Sequence, residues 1–232
     1  MFDVNYAIST FPQILSALKV TILLAFISTL IGTLIAILIV VIRERKIPIL
    51  NQITIFLVSF IRGTPIIVQM YVVYYGLPQL LMFFKSQGIN TNPNGLSAMA
   101  IAVVAYTLNA MANLSESIRS AYHSVDHRQY EAAVSVGLSP FKAITRIVMP
   151  QLIANLIPNY SNFFIDLTKD TSLVYNIGIV EIMAKANIVS SIGFKYLETY
   201  LDALIIYVLV CWIIAKLFRY GELIVRKRVF QS

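Results

Sequence analysis

Apolar runs separated by short polar segments account for most of the chain. The first charge-free run, Val20–Ile42, has 23 residues, and a helix of that length rises about 34 Å, enough to cross the hydrocarbon core of a bilayer. Four further apolar runs follow at Gln52–Phe84, Leu96–Leu114, Leu152–Leu167 and Ala203–Leu217. The pattern predicts one domain, residues 1–232, that is all-α and integral to the membrane, with about five transmembrane helices.

Local signals modify this pattern at four places. Ser28, Gly32 and Ala36 recur at every fourth position of the first run, which predicts a close contact with another helix. Pro65 removes a backbone donor and disfavours helix at the residue before it, so the second run should break near residues 62–65. The segment Leu173–Ile188 is short and mixed, which favours a partial or re-entrant segment. Phe11–Leu18 predicts a short helix at the membrane interface.

One polar stretch, residues 126–150, lies between two of the apolar runs and carries charges, caps and turns. Asp126 is a candidate N-cap, and Gln129 three residues later could complete a capping box. Gly137 offers the positive φ that ends a short helix. A serine–proline pair then predicts the start of a second helix, Phe141–Met149. We therefore expect two short helices outside the membrane, within a polar loop of about residues 120–150.

The composition indicates that most of this chain lies in a lipid bilayer. Hydrophobic residues make up 58% of the sequence and charged residues 12%, about half of the roughly 25% typical of soluble domains. Mean hydropathy is +0.77. The net charge of +7 does not indicate nucleic acid as a partner, because the charges collect at the ends of the apolar runs rather than on one basic face. The single cysteine, Cys211, excludes a disulfide framework.

The placement of lysine and arginine predicts the orientation in the membrane. Of the 18 such residues, three lie in loop 43–46, four in or beside the polar loop and five from Lys216 onward, whereas the opposite side has four. The side richer in lysine and arginine is normally cytoplasmic. The polar loop and the C-terminus should therefore be cytoplasmic, and five crossings then place the N-terminus outside.

Polar residues inside the apolar runs are candidate functional residues. A charge within a span costs about 2.5 to 3.5 kcal/mol on insertion scales, so Arg62 needs an explanation. It could contact a substrate, reach the headgroups or pair with an intramembrane acid. Asn109, Asn113 and Glu116 are spaced i, i+4 and i+7 and therefore share one helix face. Such a stripe must face protein or a water-filled path, and interhelical hydrogen bonding alone would also explain it.

The polar loop resembles the EAA loop of ABC importer permeases. In that family Glu-Ala-Ala is followed after three residues by Gly and, after nine more, by Ile-x-Leu-Pro, with Met149 here in place of Leu. The matching residues are Glu131, Ala132, Ala133, Gly137, Ile147 and Pro150. The resemblance implies that these residues couple the chain to a separate ATPase. It also implies the type I ABC importer fold.

Further motifs are similar to those of the polar amino-acid permeases within that group. Phe60–Gln69 matches FxRGTPxxxQ, and Lys169–Leu173, followed by an Ile-Gly pair and Glu181, matches KDTSL…IG…E. Tyr106, Thr107, Glu116 and Arg119 match a third pattern, although Ser120 stands where a glycine is usual. The resemblance implies permeation of cystine, arginine, histidine, glutamine or glutamate, and it leaves the choice among them open.

A zwitterionic substrate needs an acid for its amino group and a donor for its carboxylate. We expect one cavity to present both kinds of group. The candidate substrate-path residues are Arg62, Gln69, Asn109, Asn113, Glu116, Asp166, Asp170 and Ser172.

Missing motifs restrict the chemistry of this chain. It contains no G-x-x-x-x-G-K-[ST] phosphate loop, nucleophile elbow, HExxH or cysteine-pair zinc motif, so we expect no catalytic residue, metal ligand or cofactor on it. The resemblance places ATP and Mg²⁺ on two partner ATPase subunits. It also implies a second permease copy or paralogue, an extracytoplasmic solute-binding protein and a prokaryotic cell membrane. An ion-coupled transporter, a channel subunit or a membrane enzyme stays open as an alternative.

Overall fold

The computed structural model describes residues 2–92 and 95–230, and within these ranges the chain contains no strand. By length and composition the described helices provide four spans, or five if a bent pair counts as one. The prediction of an all-α membrane protein with about five spans is therefore confirmed. The helices are α1 Val4–Leu15, α2 Leu18–Glu44, α3 Leu50–Arg62, α4 Ile66–Ser86, α5 Ala98–His123, α6 His127–Ser135, α7 Pro140–Ala143, α8 Met149–Asp170, α9 Ile182–Gly193 and α10 Tyr196–Phe230.

Helices α2 and α5 pack closely along the predicted seam of small residues. Ser28, Gly32 and Ala36 are all buried. A Cβ atom added to Gly32 would lie 2.5 Å from the Cβ of Ala110 on α5. Glycine therefore lets the backbones of α2 and α5 approach closely at this contact.

The chain breaks between α3 and α4 where Pro65 predicts it. Pro65 adopts an extended conformation with φ −63° and ψ 137°, so Thr64 and Ile61 lose helical partners for their carbonyl groups. Gln69 Nε2 replaces those partners, donating to the carbonyl oxygens of Ile61 at 2.6 Å and Thr64 at 2.9 Å. The break is therefore stabilised by a side chain from the following helix.

The first and last helices differ from the predicted bounds. A short helix precedes the first span as predicted, but its bounds are Val4–Leu15 rather than Phe11–Leu18, because Asp3 caps it by accepting a hydrogen bond from the amide of Tyr6 at 3.0 Å. The last span begins at Tyr196 rather than Ala203. Its first two acids are hydrogen-bonded inside the protein, since Asp202 accepts from Thr10 Oγ1 at 2.9 Å and Glu198 accepts from the Asp3 amide at 2.9 Å.

The predicted interruption after α8 is confirmed, with different bounds. A 3₁₀ segment, Thr171–Ile177, is followed by Gly178 at φ +82° and then by α9, which ends at Gly193 rather than Ile188. Glu181 caps α9 by accepting from the Ala184 amide at 2.8 Å, and it also accepts from Tyr207 Oη at 2.7 Å. A fully buried carboxylate therefore joins this segment to α10.

Candidate functional site

An open polar cavity of about 490 Å³ lies where the end of α3 meets α5 and α8. Four of the predicted substrate-path residues line it: Arg62, Asn113, Glu116 and Asp166. The other lining residues are Ser117, Ser120, Asn159, Asn162 and Phe163. The structure therefore brings a cation, two carboxylates and several amides together in a chain that is otherwise mostly apolar. This polar cavity is the candidate site.

Helical periodicity could have identified most of the lining residues that the prediction omitted. Ser117 and Ser120 follow Asn113 at i+4 and i+7 on α5. Asn159 and Asn162 precede Asp166 by seven and four positions on α8. Each set therefore shares one helix face with a residue that had been singled out.

Two of the remaining predicted residues lie behind the cavity and hold its wall in place. Asn109 Nδ2 donates to Gln69 Oε1 at 3.1 Å. Asn113 Nδ2 donates to the carbonyl oxygen of Asn109 at 3.0 Å and to its Oδ1 at 3.1 Å. A chain of amides thus runs from the α3–α4 break to the cavity. Hydrogen bonding between helices therefore explains why Gln69 and Asn109 are polar, whereas Asn113 both takes part in this bonding and lines the polar cavity.

Asp170 and Ser172 lie outside the lining of the polar cavity, contrary to the expectation of one shared cavity. Asp170 is the last residue of α8, and its carbonyl oxygen accepts a hydrogen bond of 2.6 Å from Tyr106 Oη. The helix ends there, and Ser172 continues into the 3₁₀ segment. The geometry supports a structural role for this end of α8.

Both carboxylates of the polar cavity have an ion-pair partner within the chain, whereas its arginine has none among the described residues. Glu116 forms an ion pair with Arg43 of α2, and Lys169 Nζ lies 2.7 Å from Asp166 Oδ1. Within residues 2–92 and 95–230, no carboxylate forms an ion pair with Arg62, whose side chain is exposed. The described part of the chain also holds no group of three or more potential metal ligands. The cavity therefore presents a cation that can bind an external carboxylate.

The first helix of the polar loop is shaped by its caps. Asp126 accepts a hydrogen bond from the Arg128 amide at 3.0 Å, which confirms it as the N-cap of α6. Gly137 adopts φ +91°. The amide of Leu138 donates to the Ala133 carbonyl oxygen at 3.1 Å, and the Gly137 amide donates to that of Val134 at 3.0 Å. This pair of bonds is a Schellman motif, and it fixes the direction of the chain after α6.

Two predictions about the polar loop are wrong. The capping box is not completed, because Gln129 accepts a hydrogen bond from Gln151 of α8. The second helix does not stop at Met149: α7 opens at Pro140 behind the Ser139 cap, passes through a π-helical turn, Ile144–Val148, and continues into α8. Pro150 has no amide hydrogen, and the wider turn before it accommodates the missing bond and the ring.

The EAA-like residues divide between a buried and an exposed side of the polar loop. Ala133 is buried together with Ala143 and Val148, whereas Glu131, Ala132 and Gly137 are exposed. Ile147 and Pro150 are half-buried. Next to the glycine, Val136 is 81% exposed and Phe141 is 75% exposed. The loop thus has a small packed core and an apolar outer surface.

Ion pairs join α2 to α5 beside the polar loop. Glu44 Oε1 lies 2.9 Å from both Arg119 Nε and His123 Nε2. Together with the Arg43–Glu116 pair, these contacts tie the end of α2 to α5 directly before α6 begins. These contacts therefore hold the end of α2 against α5 where the polar loop begins.

Comparison with known proteins agrees with these features. Residues 44–221 match the family model of the binding-protein-dependent transport system inner membrane component. The probable amino-acid ABC transporter permease PatM of Vibrio harveyi is 36% identical over 206 residues, 89% of this chain and 88% of its own. The cystine transport permease TcyL of Bacillus subtilis is 35% identical over 226 residues, 97% of this chain and 92% of its own.

Solved structures show the same fold. A chain of an amino acid ABC transporter crystallised with histidines superposes with a TM-score of 0.82 at 29% identity, covering 96% of this chain and 98% of that one. A chain of the inward-facing MetNI methionine ABC transporter gives a TM-score of 0.69 at 15% identity, covering 92% and 96%. The protein therefore has the type I ABC importer permease fold, and it belongs to the binding-protein-dependent transport system inner membrane component family, among the permease subunits of amino-acid ABC importers.

Proposed function

We propose that this chain and a second permease chain, either a copy or a paralogue, enclose a path for a polar amino acid across a prokaryotic cell membrane. The observation that carries the proposal is the polar cavity, which is open in the single chain. Polar side chains at membrane depth must face protein or water, because lipid cannot pair with them. A second subunit facing this opening would close it into a path.

The polar cavity carries both kinds of group that a zwitterionic amino acid requires. Arg62 can donate two hydrogen bonds to a carboxylate, and a guanidinium suits that geometry. Asp166 can accept from an ammonium group, and Asn113 can serve either end. We infer that the substrate lies between α3 and α8 with α5 as the third wall. The relatives' names, which include cystine and arginine transport, support the class of substrate.

We also propose that the polar loop is the surface on which a separate ATPase docks. Its exposed Val136 and Phe141 would be costly to leave in water, so they favour a protein partner. The Schellman turn keeps α6 and α7 at a set angle, and α7 continues into α8, which lines the polar cavity. Closure of two ATPase subunits on ATP and Mg²⁺ would therefore move a cavity wall directly.

The membrane orientation completes the proposal. The lysine and arginine distribution supports a cytoplasmic polar loop and C-terminus, with the N-terminus outside. A solute-binding protein would then deliver its amino acid at the opposite face, near the segments around Lys85 and Lys185. Catalysis of ATP hydrolysis belongs to the partner in this scheme.

Reconstitution tests both halves of the proposal. The chain should co-purify with an ATPase subunit, and proteoliposomes with the binding protein should take up amino acid only with ATP. Asn113→Ala and Asp166→Ala should each reduce uptake while co-purification stays normal. Asn176→Ala is the matched control, because Asn176 is exposed and lies outside the polar cavity. Uptake by the chain without an ATPase would instead support the ion-coupled transporter or channel.

A further inference from the structure

The last helix is longer than a bilayer requires. α10 has 35 residues, or about 52 Å at ~1.5 Å per residue, whereas the hydrocarbon core is about 30 Å thick. Its buried face is apolar and carries Ile206, Val210 and Ile214 at a spacing of four residues. Its C-terminal part therefore extends into the headgroup region and beyond.

The opposite face of α10 carries a stripe of three basic side chains, one tryptophan and one leucine. The spacing of these residues, i, i+4, i+7, i+11 and i+15, places them on one side of the helix. All of them are exposed, and Trp212 is 59% exposed. We call this set the basic stripe: Trp212, Lys216, Arg219, Leu223 and Lys227.

The basic stripe continues a surface that faces lipid. Toward the N-terminus of α10, the same side of the helix carries Ile205, Val208 and Leu209, all large, apolar and exposed. A face of this composition is suited to contact acyl chains within the bilayer. α10 is one uninterrupted helix from Tyr196 to Phe230. Its lipid-facing side therefore continues from the hydrocarbon core of the bilayer to the headgroup region, where the basic stripe lies.

We propose that the basic stripe binds the phosphate groups of anionic phospholipids. Lys216 Nζ lies 5.6 Å from the centroid of the Trp212 ring, an aromatic–cation pair suited to the membrane interface. From Lys216 onward α10 carries five lysines and arginines but a single acid, Glu222, which pairs with Arg226 at 2.8 Å. The excess positive charge selects negatively charged headgroups over zwitterionic ones.

The fluorescence of Trp212 reports directly on this site, because it is the single tryptophan in the sequence. The full complex is reconstituted in phosphatidylcholine vesicles containing either brominated phosphatidylglycerol or brominated phosphatidylcholine. Phosphatidylglycerol should quench Trp212 at the lower mole fraction. Each basic side chain is expected to change the relative association constant by up to about five-fold at low salt, and added salt should reduce the preference.

Charge-removing variants make the test specific to the basic stripe. Lys216→Gln with Arg219→Gln should strongly reduce the preference for phosphatidylglycerol, and Lys227 retains what is left of it. Lys19→Gln with Lys85→Gln removes the same charge from exposed sites elsewhere, outside the polar loop, and should leave the preference intact.

Three results would overturn the proposal. The first is equal quenching of the unsubstituted protein by both lipids. The second is an undiminished preference in the stripe variant, and the third is an equal loss of preference in the control variant. If the stripe variant kept its lipid preference but no longer co-purified with the ATPase, we would conclude that the basic stripe binds a protein partner rather than lipid. The salt titration of the unsubstituted protein tests the proposal even if the stripe variant fails to fold.

Discussion

Replacing Glu181 by alanine should destabilise this protein more than any other single removal of a carboxylate. Glu181 is fully buried, yet both of its oxygens have partners. One accepts from the Ala184 amide at 2.8 Å and the other from Tyr207 Oη at 2.7 Å. Removing the side chain would uncap α9 and take away the carboxylate that accepts from the half-buried Tyr207 hydroxyl.

The expected loss follows from these two bonds. An N-cap contributes about 1 kcal/mol, and an unsatisfied buried hydroxyl costs about 1 to 3 kcal/mol, so Glu181→Ala should lose about 2 to 4 kcal/mol. For a chain of this size each kcal/mol lowers Tm by about 2 to 4 °C, which gives a decrease of about 4 to 16 °C. Glu181→Gln should lose less than about 1 kcal/mol, because an amide can accept from Ala184 and donate to Tyr207.

Thermal unfolding of the detergent-purified chain, followed by size-exclusion chromatography, measures this difference. Glu222→Ala is the matched control, since Glu222 pairs with Arg226 at the protein surface and such pairs contribute little. A melting temperature of Glu181→Ala within about 2 °C of the control would refute the reasoning from these bonds. If Glu181→Gln melted as low as Glu181→Ala, the negative charge rather than the hydrogen-bond geometry would be the stabilising feature.

Three further substitutions test other parts of the structure. Gly32→Ala should cost about 1 to 3 kcal/mol by overpacking against Ala110. Gly76→Ala, with no atom within 4 Å of the added Cβ, should leave the melting temperature unchanged or raise it slightly, because alanine favours the helix over glycine. Gly137→Val should raise the ATP hydrolysed per amino acid transported, since a β-branched residue is strained at φ +91°; a normal ratio in proteoliposomes would contradict this. Gln69→Leu removes the donor to the Thr64 carbonyl group and one of the donors to that of Ile61, which keeps the amide and hydroxyl of Thr64. It should lower stability by about 1 to 3 kcal/mol, measured as a lower melting temperature.

Features set by neighbouring residues were predictable from the sequence. The break at Pro65, the positive φ of Gly137 and the Ser139 cap each depend on a few adjacent positions, and all three are present. Helix ends were harder, because they depend on distant partners. The last span was predicted to start at Ala203, after the charge of Asp202, but it starts at Tyr196. The helix includes Asp202 because its carboxylate accepts a hydrogen bond from Thr10, near the other end of the chain.

The contrast between local signals and distant partners also explains which site residues could be predicted. Amides and acids at helical spacing indicated the face of α5 that lines the polar cavity, because periodicity is a property of one helix. Gln129 was assigned to the wrong partner, because Gln151 lies on another helix. That Asp166 reaches the cavity and Asp170 does not depends on where α8 ends, and Tyr106 of α5 bonds the Asp170 carbonyl there.

The three helices that line the polar cavity, α3, α5 and α8, differ in how tightly they pack against the rest of the chain. The α5 wall is fixed, because Gly32 of α2 packs against Ala110 with no room for sliding, and close-packed interfaces change by discrete steps rather than by gradual deformation. Arg62 ends α3 directly before a chain break, and Asp166 lies one turn before α8 gives way to the 3₁₀ segment. A path that opens alternately to each side would therefore move its α3 and α8 walls about these two breaks, with the α2–α5 pair as the frame against which they move.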